Sequence, residues 1–294
     1  LGHVAMAAVS AEAARARFGP FALNAQAPDE GNMHTLLHWA TDEQNEKYLR
    51  PLCDGRIRSC FAMTEPEVAG SDPSLIQTRA QLEGDQWVIN GQKTFISNGM
   101  ECDLVVVVAR TAAGDDEEPD QATGARGLRL FVVEGGTAGF VKSRQLEKMG
   151  QHCQNTAELF FEDCRVPAAS RIGPENDAFK MAMVNFNFGR VLMSAMALGI
   201  ARAAYEDALE YATGRVQFAK PIIAFQAVQF MLADMSTDLS AARLLIHHAA
   251  RLLDAGHPIA KEAAHAKLFT TDMAMKHVTN ALQIHGGNGY SQEY

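Results

Sequence analysis

The chain has 294 residues, enough for two or three domains, and its 47% apolar and 21% charged content is that of an ordinary globular protein. Acidic residues outnumber basic ones 35 to 26, a net charge of −9, so neither a nucleic acid nor an anionic membrane surface is expected as the main partner. No stretch approaches about 18 uninterrupted apolar residues, so no membrane span is expected.

The first 56 residues read as helical, interrupted at Ala27-Pro28-Asp29-Glu30-Gly31. Residues 4–15 are alanine-rich but carry Glu12 and Arg15 and follow no basic leader, which fits an amphipathic helix better than a signal peptide. Thr41-Asp42-Glu43-Gln44 has the acidic first turn of a helix start, and Asp54-Gly55 closes the region. The chain opens on Leu1 rather than Met and is expected to be part of a longer protein.

From Arg58 the apolar period changes from 3.6 to 2, which predicts strands at 59–63, 86–90, 92–97, 103–109, 128–133 and 156–161. Asn90-Gly91 is the strongest hairpin signal, because both central positions of a type I′ turn need φ > 0. Short strands with few helices between them predict an antiparallel barrel or sandwich. Gly114 to Gly124 reads as a solvated acidic loop.

After Pro174 the helical period returns. Leu198, Ala201, Tyr205, Ala208, Leu209 and Ala212 share one face of a helix ending near Gly214. A second helix is predicted from about Ala224 to Ala255 and a third from Pro258 to roughly His285, and such a bundle wants at least one more helix. The expected organisation is a helical domain at 1–56, a β-domain at 57–172 and a helical bundle at 173–294, an α+β protein.

The five cysteines, Cys53, Cys60, Cys102, Cys153 and Cys164, form no Cys-x-x-Cys pair. That speaks against a disulfide framework or a thiolate metal site, and all five read as small buried hydrophobes in a reducing compartment. The histidines at 247, 248, 265, 277 and 285 show no metal-ligand spacing with a carboxylate, so no metal site is expected.

One stretch carries most of the chemistry. Phe61-Ala62-Met63-Thr64-Glu65-Pro66 is an apolar strand ending in a turn, and Gly70-Ser71-Asp72 follows closely. Hydroxyls, backbone N–H groups and a glycine are offered there to a flat, anionic ligand lying close to the main chain. With Asn90-Gly91-Gln92-Lys93-Thr94-Phe95-Ile96-Ser97-Asn98-Gly99 and Gln283-Ile284-His285-Gly286-Gly287-Asn288-Gly289-Tyr290, it resembles the acyl-CoA dehydrogenases. The resemblance runs from about residue 27 to the end. It implies a helical domain, an antiparallel β-barrel or sandwich and an up-and-down helical bundle, with FAD at their junction.

On the matched positions, the resemblance implies that Phe61 and Met63 wall the flavin, while Thr64, Gly70 and Ser71 hydrogen-bond it. Phe95, Ile96 and Ser97 would supply a second wall and another hydroxyl. Arg215, Phe218 and Gln226 would reach the FAD of a neighbouring subunit, and Gln283, Gly286 and Gly287 would pack on its adenine half. A guanidinium suits a pyrophosphate, yet Arg215 is equally well placed as a cation at a helix C-terminus. Arg190 and Ser71 are matched to the thioester end of the substrate.

Two departures from the family pattern stand out. Glu67-Val68-Ala69 makes the loop before Gly70 one residue longer than usual, which with Ala27 to Met33 leaves the depth of the acyl pocket open. The α-proton needs a carboxylate base, which the family places either shortly after the Gly-Gly-Asn-Gly segment or just before the arginine matched by Arg190. The first position lies past Tyr294, and the second is Gly189, so no base is visible.

The activity implied is oxidation of an acyl-CoA to a trans-2-enoyl-CoA, as in fatty acid β-oxidation, with electrons passed to an electron-transfer flavoprotein. A homotetramer, a dimer of dimers, is implied with it. The same fold also serves acyl-CoA oxidases and flavin monooxygenases, and a base-less chain fits a non-catalytic FAD-binding subunit. The expected location is a bacterial cytoplasm or, in a eukaryote, the mitochondrial matrix.

Overall fold

A computed structural model describes residues 1–111, 127–174 and 178–292; the acidic stretch Gly114 to Gly124 lies outside them. The chain divides into two compact units, Gln26–Asn185 and a second that joins Leu1–Ala25 to Phe186–Tyr294.

The N-terminal helices are α1 (His3–Ala13), α2 (Gly19–Ala22), α3 (Asp29–Trp39), α4 (Asp42–Gln44) and α5 (Arg50–Cys53), with a π turn at Asn45–Leu49. The expected start at Thr41 is a full capping box. Its hydroxyl accepts the Gln44 N–H at 3.2 Å, and the Gln44 side chain accepts the Thr41 N–H at 3.0 Å. The expected interruption is shifted: the chain also breaks after Ala13, and α3 already begins at Asp29. Asp29 and Glu30 place their carboxylates at the positive end of that helix.

The strands are β1 (Ser59–Ala62), β2 (Arg79–Glu83), β3 (Gln86–Ser97), β4 (Leu104–Arg110), β5 (Leu128–Glu134), β6 (Phe140–Gln145), β7 (Thr156–Pro167) and β8 (Arg171–Ile172). They form one sheet in the order β6-β7-β3-β2-β4-β5-β8, antiparallel except that β1 and the end of β2 run parallel to β4. β4 is a continuous apolar run because both its faces are covered. Val105, Val107 and Ala109 join Phe131, Val133, Trp87 and Phe161 in one core, where the Trp87 and Phe131 rings stand 5.1 Å apart. That contact joins β3 to β5, which are not hydrogen-bonded neighbours, so the sheet folds across itself. Leu104, Val106 and Val108 on the other face pack with Leu36, Tyr48 and Leu52 of the helices.

The hairpin expected at Asn90-Gly91 is not there. β3 runs straight through it, with a register shift between Ile89 and Gly91, and the turn lies earlier, at Gly84-Asp85 between paired Glu83 and Gln86. Asn90 instead accepts the Asp163 N–H at 2.8 Å and donates to the Asp163 carboxylate at 3.2 Å. Gly91 has φ 155°, and a Cβ there would stand 2.4 Å from Thr78 Oγ1 and 2.8 Å from its Cα. The glycine serves a close approach of two backbones rather than a turn.

The second unit holds α6 (Ala178–Gly214) from Phe186 onward, a two-strand ribbon of β9 (Val216–Gln217) and β10 (Lys220–Pro221), α7 (Gln226–Asp254), α8 (Ala260–His285) and α9 (Gly287–Tyr290). A helix from the other end of the sequence packs onto this bundle. Ala7 of α1 packs with Leu198, Leu239, Ile246 and Met273. Asp254 ends α7 and caps the start of α1, accepting the N–H groups of His3 and Val4 at 2.6 and 3.2 Å and bonding the His3 ring at 2.7 Å. Among the described residues α6 is the helix long and apolar enough to cross a membrane by composition, with a mean hydropathy of 1.2. Its Val191, Ala195, Leu198 and Ala201 are spent on the core.

All five cysteines are free thiols, but only Cys60, Cys102 and Cys164 are buried; Cys53 and Cys153 are exposed, against the uniform expectation. Cys53 closes the four-residue α5 and Cys153 lies in a turn, where the apolar pattern gives no guide. His277 is wholly buried, its Nε2 2.7 Å from an Asp238 carboxylate oxygen.

Candidate functional site

Asp29 anchors the approach to the β-unit's candidate residues. One of its oxygens accepts the Ser59 N–H and hydroxyl, and the other accepts from Arg58 at 3.0 Å and Asn98 at 3.4 Å. The start of β1 is thereby tied to the turn that follows β3.

Past the end of β1 the main chain turns against β3. The Thr64 carbonyl accepts the Thr94 N–H at 2.9 Å, and the Met63 carbonyl accepts from Lys93 Nζ at 3.0 Å. Lys93 is wholly buried and also bonds the Glu65 carboxylate at 2.8 Å. Glu65 in turn accepts the Gln77 N–H at 2.7 Å, the Thr78 N–H at 2.9 Å and the Thr78 hydroxyl at 2.6 Å. Burial pushes the Glu65 carboxyl up, but the Lys93 charge and these bonds outweigh it and hold the group below its ordinary range. The same burial draws Lys93 down to about 8, in spite of its partner. The pattern of the sequence assigns neither residue a role. Lys93 is the one charged residue of β3, among polar as well as apolar neighbours, and that is the available signal.

The lengthened loop still returns to the strand. A Cβ on Gly70 would stand 3.2 Å from Thr64 Cγ2 and 3.7 Å from its hydroxyl, so Gly70 lies against Thr64. The Asp72 N–H donates to the Ala69 carbonyl at 2.9 Å, and the Asp72 carboxylate accepts the Ser74 N–H at 3.0 Å. Thr64 is half-buried and Ser71 exposed. Phe61 and Met63 are half-buried against the helices' core cluster.

β3 bulges between Lys93 and Ile96, and Phe95 sits on the bulge with φ 58° and 68% of its surface exposed. Ile96 points the other way, into the sheet's core, so its side chain is a core side chain. Ser97 is half-buried at the end of the strand, paired with Thr156.

The remaining candidates belong to the helical unit. Arg215 is exposed at the end of α6, and the ribbon after it turns at Phe218-Ala219, flanked by the Gln217–Lys220 pair. Both turn residues have positive φ, 51° and 60°, although neither is glycine. Phe218 is 90% exposed, its ring centroid 6.0 Å from that of Phe225 in an edge-to-face arrangement. Gln226 opens α7 and Gln283 lies in the last turn of α8, both exposed. Gly286, with φ 60°, and Gly287 follow, and Asn288 donates to the Tyr211 hydroxyl at 3.0 Å. Tyr211, Arg215, Leu282, His285 and Gly289 line a cleft of about 710 Å³. Arg190 is half-buried on α6 and donates to Asn187 Oδ1 at 2.6 Å; a Cβ on its neighbour Gly189 would meet nothing within 4 Å.

Phe95 and Phe218 are the two aromatic residues with left-handed backbones among the described residues, and both are exposed. Such a conformation costs on the order of 1 kcal/mol or more and persists where its surroundings over-determine it, typically at ligand sites.

The family model for the middle domain of acyl-CoA dehydrogenases matches residues 60–164, and that for the C-terminal domain matches 176–294. This chain belongs to the acyl-CoA dehydrogenase family. A short-chain-specific acyl-CoA dehydrogenase of Megasphaera elsdenii is 43% identical over 260 residues, 88% of this chain and 66% of the relative. An NADH-dependent acryloyl-CoA reductase of Anaerotignum propionicum is 44% identical over 88% of this chain and 64% of its own length. Among solved structures, a chain from the work on the electron transferring flavoprotein of Acidaminococcus fermentans superposes with a TM-score of 0.81 at 43% identity. That match covers 89% of this chain and 67% of the other. The chain thus spans about 66% of the length of the curated acyl-CoA dehydrogenases it matches.

Proposed function

We propose that the protein is an FAD-dependent acyl-CoA dehydrogenase that oxidises an acyl-CoA thioester to the trans-2-enoyl-CoA and passes electrons to an electron-transfer flavoprotein. The observation that carries this reading is the pair Phe95 and Phe218, two exposed aromatic rings held on left-handed backbones at two of the positions matched to flavin contacts. The donor set fits the cofactor too. Thr64 and Ser71 offer hydroxyls beside the apolar side chains of Phe61 and Met63, and Arg215 offers an exposed guanidinium for a pyrophosphate.

When bound, FAD supplies a two-electron acceptor. The protein's own residues bind and orient. Phe61, Met63 and Phe95 wall the ring system; Thr64, Ser71 and Ser97 hydrogen-bond it, with Gly70 and the main chain of Ile96 lying close. Arg215, Phe218 and Gln226 take the cofactor of a neighbouring subunit, with Gln283, Gly286 and Gly287 on its adenine half. Ser71 and Arg190, the latter donating to Asn187, are each matched to the thioester end of the substrate. Gly189 has no side chain to take the α-proton. The relatives' names support a short acyl chain and an electron-transfer flavoprotein as partner. The same reading includes a role in fatty acid β-oxidation, a homotetramer, and a place in the bacterial cytoplasm or the mitochondrial matrix.

An anaerobic absorption titration with saturated and unsaturated acyl-CoAs of graded length tests it. Bleaching of a flavin band by short saturated thioesters is expected. A colourless protein that takes up no FAD overturns the reading, while an oxidised spectrum untouched by any saturated thioester removes the dehydrogenase activity.

A further inference from the structure

We infer that Lys93 and Glu65 are a positioning pair, holding the Met63-Thr64 main chain in the shape that receives the cofactor. The inference rests on the FAD reading above. Neither residue is expected to touch the ligand; both act through the backbone between them.

The geometry is a chain of obligations. Lys93 crosses from β3 and bonds the Met63 carbonyl at 3.0 Å, while the next residue's N–H takes the Thr64 carbonyl at 2.9 Å. Two successive carbonyls are thus committed to β3. The Thr64 side chain is left against Gly70, at the mouth of the loop that carries Ser71. Glu65 fixes the far end of the same turn by accepting two N–H groups and a hydroxyl from Gln77 and Thr78. The ion pair thus holds the Met63–Glu65 turn, while the Arg110 guanidinium holds the later part of the segment through the Ser74 and Ile76 carbonyls at 2.7 and 3.2 Å.

Stability does not explain the pair. Removing an ammonium and a carboxylate from water is expensive, and well-packed apolar residues in their place are often as stable or more so. The lowered proton affinity of Lys93 is a sign of that cost. What the pair supplies is direction: an ammonium donates to a carbonyl and a carboxylate at once, which no apolar side chain can do. The neighbouring bulge at Phe95 begins at the residue that carries this ammonium, so both candidate walls of the ring site hang on one side chain.

The test uses the full protein stripped of cofactor, with FAD binding read by quenching of flavin fluorescence and stability by urea unfolding. K93M alone strands a buried carboxylate and is expected to lose stability. K93M/E65Q removes that stranded charge and is expected to recover part of the stability, since the amide NH2 then faces a main-chain N–H of Gln77 or Thr78, and to bind FAD about tenfold more weakly. K93Q/E65Q restores an N–H donor near the Met63 carbonyl and is expected to regain most of the affinity at similar stability. Wild-type affinity and spectrum in K93M/E65Q overturn the inference while leaving the FAD reading intact. Failure of both double variants to fold overturns it as well, since the pair is then a requirement of the fold. Absence of FAD uptake by the wild type removes the FAD reading, and this inference with it.

Discussion

The carboxylate of Asp29 accepts both the main-chain N–H and the hydroxyl of Ser59, at 2.6 and 2.7 Å, across a gap of 30 residues. Arg58, Gln26 and Asn98 share the other oxygen. The first residue of α3 therefore fastens the helices to the first strand. Asp29→Ala leaves the buried Ser59 N–H and hydroxyl without this acceptor, and is expected to cost about 3 kcal/mol. A fall in the urea midpoint without a change in slope is the expected readout, with Asp29→Asn intermediate.

Its neighbour Glu30 predicts a pH dependence. Burial pushes this carboxyl up from 4.5 to about 7. The folded protein then holds a proton more tightly than the unfolded chain does, so stability falls as pH rises between those values and the cost is complete above about 7. Glu30→Gln is expected to change little at pH 4.5 and to stabilise at pH 8 by on the order of 2 kcal/mol. Melting curves at the two pH values check it, and equal gains at both would contradict it.

Gly91→Ala is expected to cost about 2–3 kcal/mol, because its new Cβ meets the Thr78 backbone as well as its hydroxyl. Trimming the partner in Gly91→Ala/Thr78→Ala is expected to recover only part of the loss, since the clash with the main chain at position 78 stays. Asn90→Ala is milder, about 1 kcal/mol for its bonds to Asp163. Urea unfolding of these variants checks it, and full recovery of the Gly91→Ala loss by Thr78→Ala would contradict it.

Phe95→Gly and Phe218→Gly separate strain from use. Glycine adopts positive φ at no steric cost, and each ring is mostly in solvent, so neither variant is expected to melt lower than the wild type. Each is expected to release FAD more readily if these rings contact it. Calorimetry set beside a flavin-retention assay gives both answers on one sample.

Much of the architecture was legible because burial repeats with the period of the backbone. β4 and β5 alternate between two cores, and α7 and α8 end at the glycine and proline punctuation that predicts them. What misled was chemistry with two uses. Asn-Gly is the preferred type I′ pair, yet here it serves a bulge, while a turn with two positive φ angles is built from Phe218-Ala219, which carries no such signal. Lys93 carries no mark of burial in the sequence, because its partner lies 28 positions away. Phe95 and Ile96 look alike in sequence, and only the bulge sends one outward and the other into the core.

The cap that Asp254 places on α1 fixes an order of events during synthesis. Asp254 lies 251 positions beyond His3, and a ribosome adding about 5–20 residues per second needs roughly 10–50 s to cover that distance. A lone helix of 11 residues is marginal in water, so α1 leaves the ribosome without a stable form. Gln26–Asn185 is contiguous and is complete long before Asp254 is made. Residues 3–13 are therefore made well before the helix end that caps them, and settle only after it.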